Sequence, residues 1–327
     1  MIRSARITTQ ILTLWAIMCL PVCAAPEEPI ARQKAPIAVP AAAILPGPLN
    51  VQLWERIPTV IVSLNDSRQE RAAIATGMNA NVIAPDAALR LKLSPIDGKV
   101  KIAALNLSSV AGQAEIKVFR ASTLELQSLA VAIADVPQLL THNSRPDAPA
   151  TWLGTPFLSA FQLTLDPATK SVTLQKATAP LKRLKQTSVA KLQFRDGRPF
   201  VQVTVPGAPP YWALIDTSSP GTMIPTDVAE KLKLKPIKVV PIAWHDGKPG
   251  KGAIAIVPQL GVGKADWKSA RVLYITPDSS KEYDRNFAVL GMDYLDQYKV
   301  TIDFLHSQVA FSPPEKPVVP PSSGDQP

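Results

Sequence analysis

The stretch ALIDTSSPGTMIPTDVAEKLKL, residues 213–234, decides how the rest of the chain reads. Apolar residues lead into Asp216-Thr217-Ser218, and a Pro-Gly pair turns the chain before Met223-Ile224. A carboxylate directly after a buried-looking strand is costly unless it has a partner or a task. An earlier stretch repeats the pattern. AAIATGMNANVIAPDAALRLKL, residues 72–93, aligns with it without gaps at an offset of 216 − 75 = 141. Ile74/Ile215, Thr76/Thr217, Ile83/Ile224, Asp86/Asp227 and Leu93/Leu234 are among the identities.

A second block follows in the same order. LGTPFLSAFQLTLDPATKSV, residues 153–172, aligns with LGMDYLDQYKVTIDFLHSQV, residues 290–309, at an offset of 291 − 154 = 137. The Leu-Gly pair, Thr164/Thr301 and Asp166/Asp303 recur, and Phe157/Tyr294 and Phe161/Tyr298 keep an aromatic ring. Two collinear blocks read as a tandem duplication.

Each repeat opens with apolar residues at every second position: Val60, Val62 and Leu64, then Val201, Val203 and Val205. Period two suits a strand with one buried face. A turn follows at Asn65-Asp66-Ser67 or Pro206-Gly207-Ala208, then a short strand that delivers the Ala-Thr-Gly or Asp-Thr-Ser loop. A short helix is expected next, with Thr226 as N-cap and Asp227 in its first turn. The second repeat closes on a hairpin of Lys299 to Phe304 and Gln308 to Phe311. Asp166 and Asp303 read as turn acids beside their hairpins.

The 327 residues suffice for two ordinary domains, and a hydrophobic content of 46% supports real cores. Short β-branched runs bounded by Gly, Pro, Asn and Asp predict an all-β chain. Arg3 and Arg6 precede the apolar run Ile11 to Leu20, and small residues follow at Cys23-Ala24-Ala25, so residues 1–25 read as an export signal. Export to the periplasm or medium is expected. The segment is too short for a comfortable membrane span, and Pro21-Val22 before Cys23 makes a poor lipidation site.

Both cysteines, Cys19 and Cys23, fall in this signal, so the mature chain has no disulfide, cysteine nucleophile or thiolate metal site. His142, His245 and His306 lack metal-ligand spacing, so no metal is expected. There is no Gly-x-Ser-x-Gly elbow or phosphate loop, and no cofactor is expected. Without Arg3 and Arg6 the formal charge is +9 − 2 = +7. The small basic cluster Lys182, Arg183, Lys185 and Lys191 has no interleaved aromatics, so nucleic acid is not an expected partner.

The paired motifs resemble the retropepsin-like aspartic proteases. An apolar strand, Asp-Thr-Gly, an apolar pair and a later apolar-Leu-Gly-x-Asp-x-Leu segment is their layout, matched here by ALIDTSSPGTMI and AVLGMDYLDQYKVTIDF. The resemblance covers Ile57 to Lys176 and Leu192 to Ser312. It implies two tandem β-barrel lobes in a pseudo-two-fold, pepsin-like bilobal architecture. The expected division is a Pro/Ala-rich linker over 26–56, a first lobe over 57–177, a connector over 178–190, a second lobe over 191–312 and a Pro-rich tail over 313–327.

The resemblance also implies a chemistry. Two Asp carboxylates, one per lobe, share a proton, because like charges a few ångström apart cannot both ionise. One activates a water and the other assists the peptide carbonyl. Asp216 takes the catalytic position, Thr217 the bracing position, and Ser218 stands where the family has Gly. In the first repeat Ala75 takes the Asp position, with Thr76 and Gly77 intact. A Cβ at Ser218 is costly if that position needs φ > 0 or a close approach.

The expected partner of Asp216 inside the chain is therefore a methyl group, and two-carboxylate peptidase chemistry is expected to be reduced or lost. Two alternatives stay open: a carboxylate such as Asp246 or Glu115 reaches in, or a second chain supplies one in a homodimer. Asp293 faces Pro156 in the alignment and is not expected to be catalytic. Trp244, His245, Asp246 and Gly247 lie where the family places a β-hairpin flap over substrate, with the first-repeat equivalent near Val110 to Gln113. Extended peptide held by main-chain hydrogen bonds is the expected ligand class.

Overall fold

The alternating pattern folds as its period dictates. In the strand Ile57–Leu64, Val60, Val62 and Leu64 are buried and Ile61 is exposed. Asn65 and Asp66 follow at φ 49° and 59°, and the Ser67 amide donates to the Leu64 carbonyl, closing a tight turn. A computed structural model describes residues 49–67, 69–104, 107–135, 148–243, 249–277, 279 and 286–314. These residues fall within one compact unit. The signal-like segment 1–25, the linker up to residue 48 and the tail beyond Pro314 lie outside them.

The chain is mostly β, with two lobes joined by a shared sheet. The first lobe is built on an eight-stranded sheet running from Gln52–Trp54 to Ser94–Ala104. A nine-stranded sheet runs in the order Leu49–Asn50, Ser171–Gln175, Gln162–Asp166, Lys299–Asp303, Gln308–Ser312, Ser188–Arg195, Arg198–Val203, Tyr211–Ile215 and Val289–Leu290. A three-stranded sheet of Lys238–Ala243, Pro249–Val262 and Ala265–Ile275 completes the second lobe.

The join between the lobes is the antiparallel pairing of Gln162–Asp166 with Lys299–Asp303. Its register places Thr164 directly opposite Thr301, with their hydroxyl oxygens 3.1 Å apart. These two threonines occupy matching places in the aligned blocks, so a local two-fold axis passes between them. The flanking pairs obey it: Leu49 opposes Val172 in one lobe, and Ala190 opposes Val309 in the other.

Some boundaries move. The described residues begin at Leu49, inside the expected linker, where Leu49 pairs with Val172 and Trp54 packs edge-on to Trp152 at 6.1 Å. Ser188 to Ala190, expected in the connector, begin the strand Ser188–Arg195 by pairing with Phe311 to Val309. Thr226 lies one residue inside its helix, Thr226–Lys231, and its hydroxyl donates to the Ile275 carbonyl; Pro225 takes the cap position. Val110 to Gln113 lie within the strand Leu107–Ala121, so they form part of a hairpin arm rather than a tip.

One buried apolar cluster runs through both lobes, from Leu49 and Val60 to Tyr294 and Phe311. A second lies in the first lobe around Trp54, Ile57, Ala75, Met78 and Trp152.

Candidate active site

Each lobe brings its loop to the same place by the same route. In the second, Tyr211–Ile215 runs parallel to Val289–Leu290, and the Asp216 amide donates to the Leu290 carbonyl. In the first, Glu70–Ile74 runs parallel to Thr151–Leu153, and the Ala75 amide donates to the Leu153 carbonyl. The glycine of each Leu-Gly pair is fixed by space. A Cβ on Gly154 would overlap the Ala80 carbonyl, and one on Gly291 would overlap the Gly221 carbonyl. A side chain from the neighbouring turn latches each glycine: Gly154 N–H donates to Asn81 Oδ1, and Gly291 N–H to Thr222 Oγ1. Thr222 Oγ1 in turn donates to Asp293 Oδ1, which gives Asp293 a bracing role.

The loops interlock through their threonines. Thr76 N–H donates to Thr217 Oγ1, and Thr217 N–H donates to Thr76 Oγ1, both at 3.1 Å. Thr76 Oγ1 donates to the Ile215 carbonyl at 2.8 Å, and Thr217 Oγ1 to the Ile74 carbonyl at 2.5 Å. Each hydroxyl proton is thereby used, and each oxygen accepts once. The four bonds are reciprocal and buried, so a half-turn relates the loops.

Asp216 is completely buried, at 0% exposure. Its Oδ1 accepts from the Ser218 amide at 2.7 Å and the Ser218 hydroxyl at 2.5 Å. Among the described residues Oδ2 accepts no hydrogen bond of ordinary geometry. Burial raises the carboxyl above its ordinary value of 3.8, opposed by the two Ser218 bonds, the Arg198 charge and, least, the Gly77 amide. Gly77 lies against this carboxyl, and a Cβ there would overlap its Cγ and both oxygens. Gly77 and Ser218 both keep negative φ, so space and not backbone conformation decides what each position accepts.

Among the described residues the charge acting on Asp216 is the Arg198 guanidinium, itself lowered from its ordinary value by burial. Arg198 was not foreseen as part of the site. The 141-residue offset pairs it with Ile57, so the first-lobe counterpart is apolar, just as Ala75 is. Glu115 accepts from the Ser128 hydroxyl, and it is not among the groups whose charge or hydrogen bonds act on Asp216. Trp244, His245, Asp246 and Gly247 lie outside the described residues; the flanking strands Lys238–Ala243 and Pro249–Val262 form an antiparallel hairpin around them. Asp303 and Asp166 serve turns: Asp303 Oδ1 accepts from the His306 amide, and Asp166 Oδ1 from the Ala168 amide.

A crystal structure of aspartic proteinase from Irpex lacteus is similar, with a TM-score of 0.52 over 84% of this chain and 98% of that chain, at 11% identity. The fold is that of a pepsin-like aspartic proteinase. Residues 201–294, which carry Asp216 and the second Leu-Gly pair, match the family model described as aspartyl protease. No curated protein matches the chain in sequence. The aspartic-proteinase fold accounts for the two loops meeting at one axis. No grouping of His, Cys, Asp and Glu able to hold a metal occurs among the described residues.

Proposed function

We propose that this chain is an exported aspartyl-protease-like protein that binds extended peptide between its lobes and has reduced or absent peptidase activity. The observation that carries this is the asymmetry at the axis: Asp216 on one side, Ala75 on the other, held by reciprocal threonine bonds. On this reading the lobes descend from a duplication, and Ala75, Thr76 and Gly77 are the degenerate counterpart of Asp216, Thr217 and Ser218. One carboxyl cannot serve as water-activating base and carbonyl-directed acid in the same step. The burial of Asp216 supports the same view, since its carboxyl has no surface open to a substrate carbonyl in this structure. Export rests on Arg3, Arg6 and the apolar run that follows.

The test is digestion of a diverse peptide library by the mature chain across acid to neutral pH, beside Asp216→Asn. The expected result is no cleavage by either protein, with peptides retained on both. Efficient, many-turnover cleavage by the wild type that vanishes in the variant would overturn the reading and make Asp216 a working catalytic acid with a partner supplied by a loop or a second chain.

A further inference from the structure

Two residues at the axis depart from the paired Asp-Thr-Gly pattern, Ala75 and Ser218, and they sit in different lobes. The geometry ties them together. The half-turn that exchanges Thr76 and Thr217 also carries Gly77 onto Ser218 and Asp216 onto Ala75. On the Gly77 side, an added Cβ would overlap three atoms: Cγ, Oδ1 and Oδ2 of Asp216. Those are the atoms that alanine lacks. On the Ser218 side the corresponding space is therefore open, and the Ser218 Cβ stands in it.

A second observation agrees. A partner carboxyl at this axis would bring an oxygen against Asp216. Here the Ser218 hydroxyl occupies that role, 2.5 Å from Asp216 Oδ1 and donating to it. Ser218 is itself 2% exposed, so its hydroxyl has no solvent to turn to.

We propose that Ser218 is a positioning residue that takes the place of the missing carboxyl group, so that Ala75 and Ser218 form one co-adapted pair whose members cannot be reverted singly. This deepens the reading of a degenerate site and rests on Ala75 being the counterpart of Asp216. The Ser218 hydroxyl holds Asp216 as a single-carboxyl hydrogen-bonded unit. A carboxyl restored at position 75 meets the Ser218 side chain, whereas with glycine at 218 it meets free space.

The test compares wild type, Ala75→Asp, Ser218→Gly and the double variant by thermal unfolding and by carboxyl titration with carbon NMR. Ala75→Asp is expected to lower the unfolding midpoint sharply, and adding Ser218→Gly is expected to recover much of that loss, a non-additive pair. In the double variant the two axial carboxyls are expected to titrate in two separated steps belonging to the pair, against one step for Asp216 in the wild type. If Ala75→Asp fails to fold, folding of the double variant is the readout. Additive midpoints, a double variant no better folded than Ala75→Asp, or two unsplit titrations would each overturn the proposal. Wild-type cleavage lost in Asp216→Asn would sink the degenerate-site reading alone, because the four-protein comparison does not depend on it.

Discussion

At the scale of single residues, the site spends stability. Asp216 binds its proton more tightly in the folded state than in the unfolded one, because burial raises its carboxyl above 3.8. Its contribution is therefore most favourable in acid and declines as pH rises from about that ordinary value through the raised one, at about 1.4 kcal/mol per unit of elevation. Asp216→Asn removes the ionisation and is expected to be more stable than wild type at neutral pH. The advantage should shrink towards pH 3 in denaturant titrations, and an advantage independent of pH would show that the carboxyl is not the source. Thr217→Val is expected to act in the opposite sense. It strands the Ile74 carbonyl and the Thr76 amide in a dry interface, at about 1–3 kcal/mol for each unsatisfied group. Calorimetry of the variant measures that cost directly.

At the scale of elements, the Leu-Gly segments position the site. Gly154 and Gly291 pass so close to a neighbouring carbonyl that a methyl group has no room. Either Gly→Ala change is expected to cost at least the upper end of ordinary overpacking, about 3 kcal/mol, and to show as loss of soluble protein or a large fall in midpoint. The two glycines were legible in the sequence because they recur at matching places, as were the strands, whose period-two burial is a local property. The asymmetry of Ala75 and Asp216 was legible for the same reason. Less visible were contacts that depend on which side chain faces which. Arg198 lies 18 residues before Asp216 and acts on it only through the folded hairpin. The bond from Ser218 Oγ to Asp216 is a rotamer, not a pattern, and the sequence raised Ser218 only as a steric cost. Trp54 and Leu49 read as linker because their burial comes from Trp152 and Val172, more than ninety residues away in sequence.

At the scale of the whole molecule, one sheet and one apolar cluster cross both lobes. Thermal unfolding is therefore expected as a single transition monitored by fluorescence and by calorimetry alike; two separated transitions would mean that the Gln162–Asp166 and Lys299–Asp303 pairing does not couple the lobes. The ion pair from Arg56 to Asp296 also crosses between lobes, but its arginine is half exposed. Arg56→Ala is expected to cost less than about 1 kcal/mol. The two self-paired threonine contacts have a mechanical corollary. Thr164 with Thr301, and Thr76 with Thr217, are two points on the same line. The lobes are therefore tied along that line at two heights, once through the shared sheet and once through the loops that carry Asp216 and Ala75, so a twist of one lobe against the other strains both ties at once.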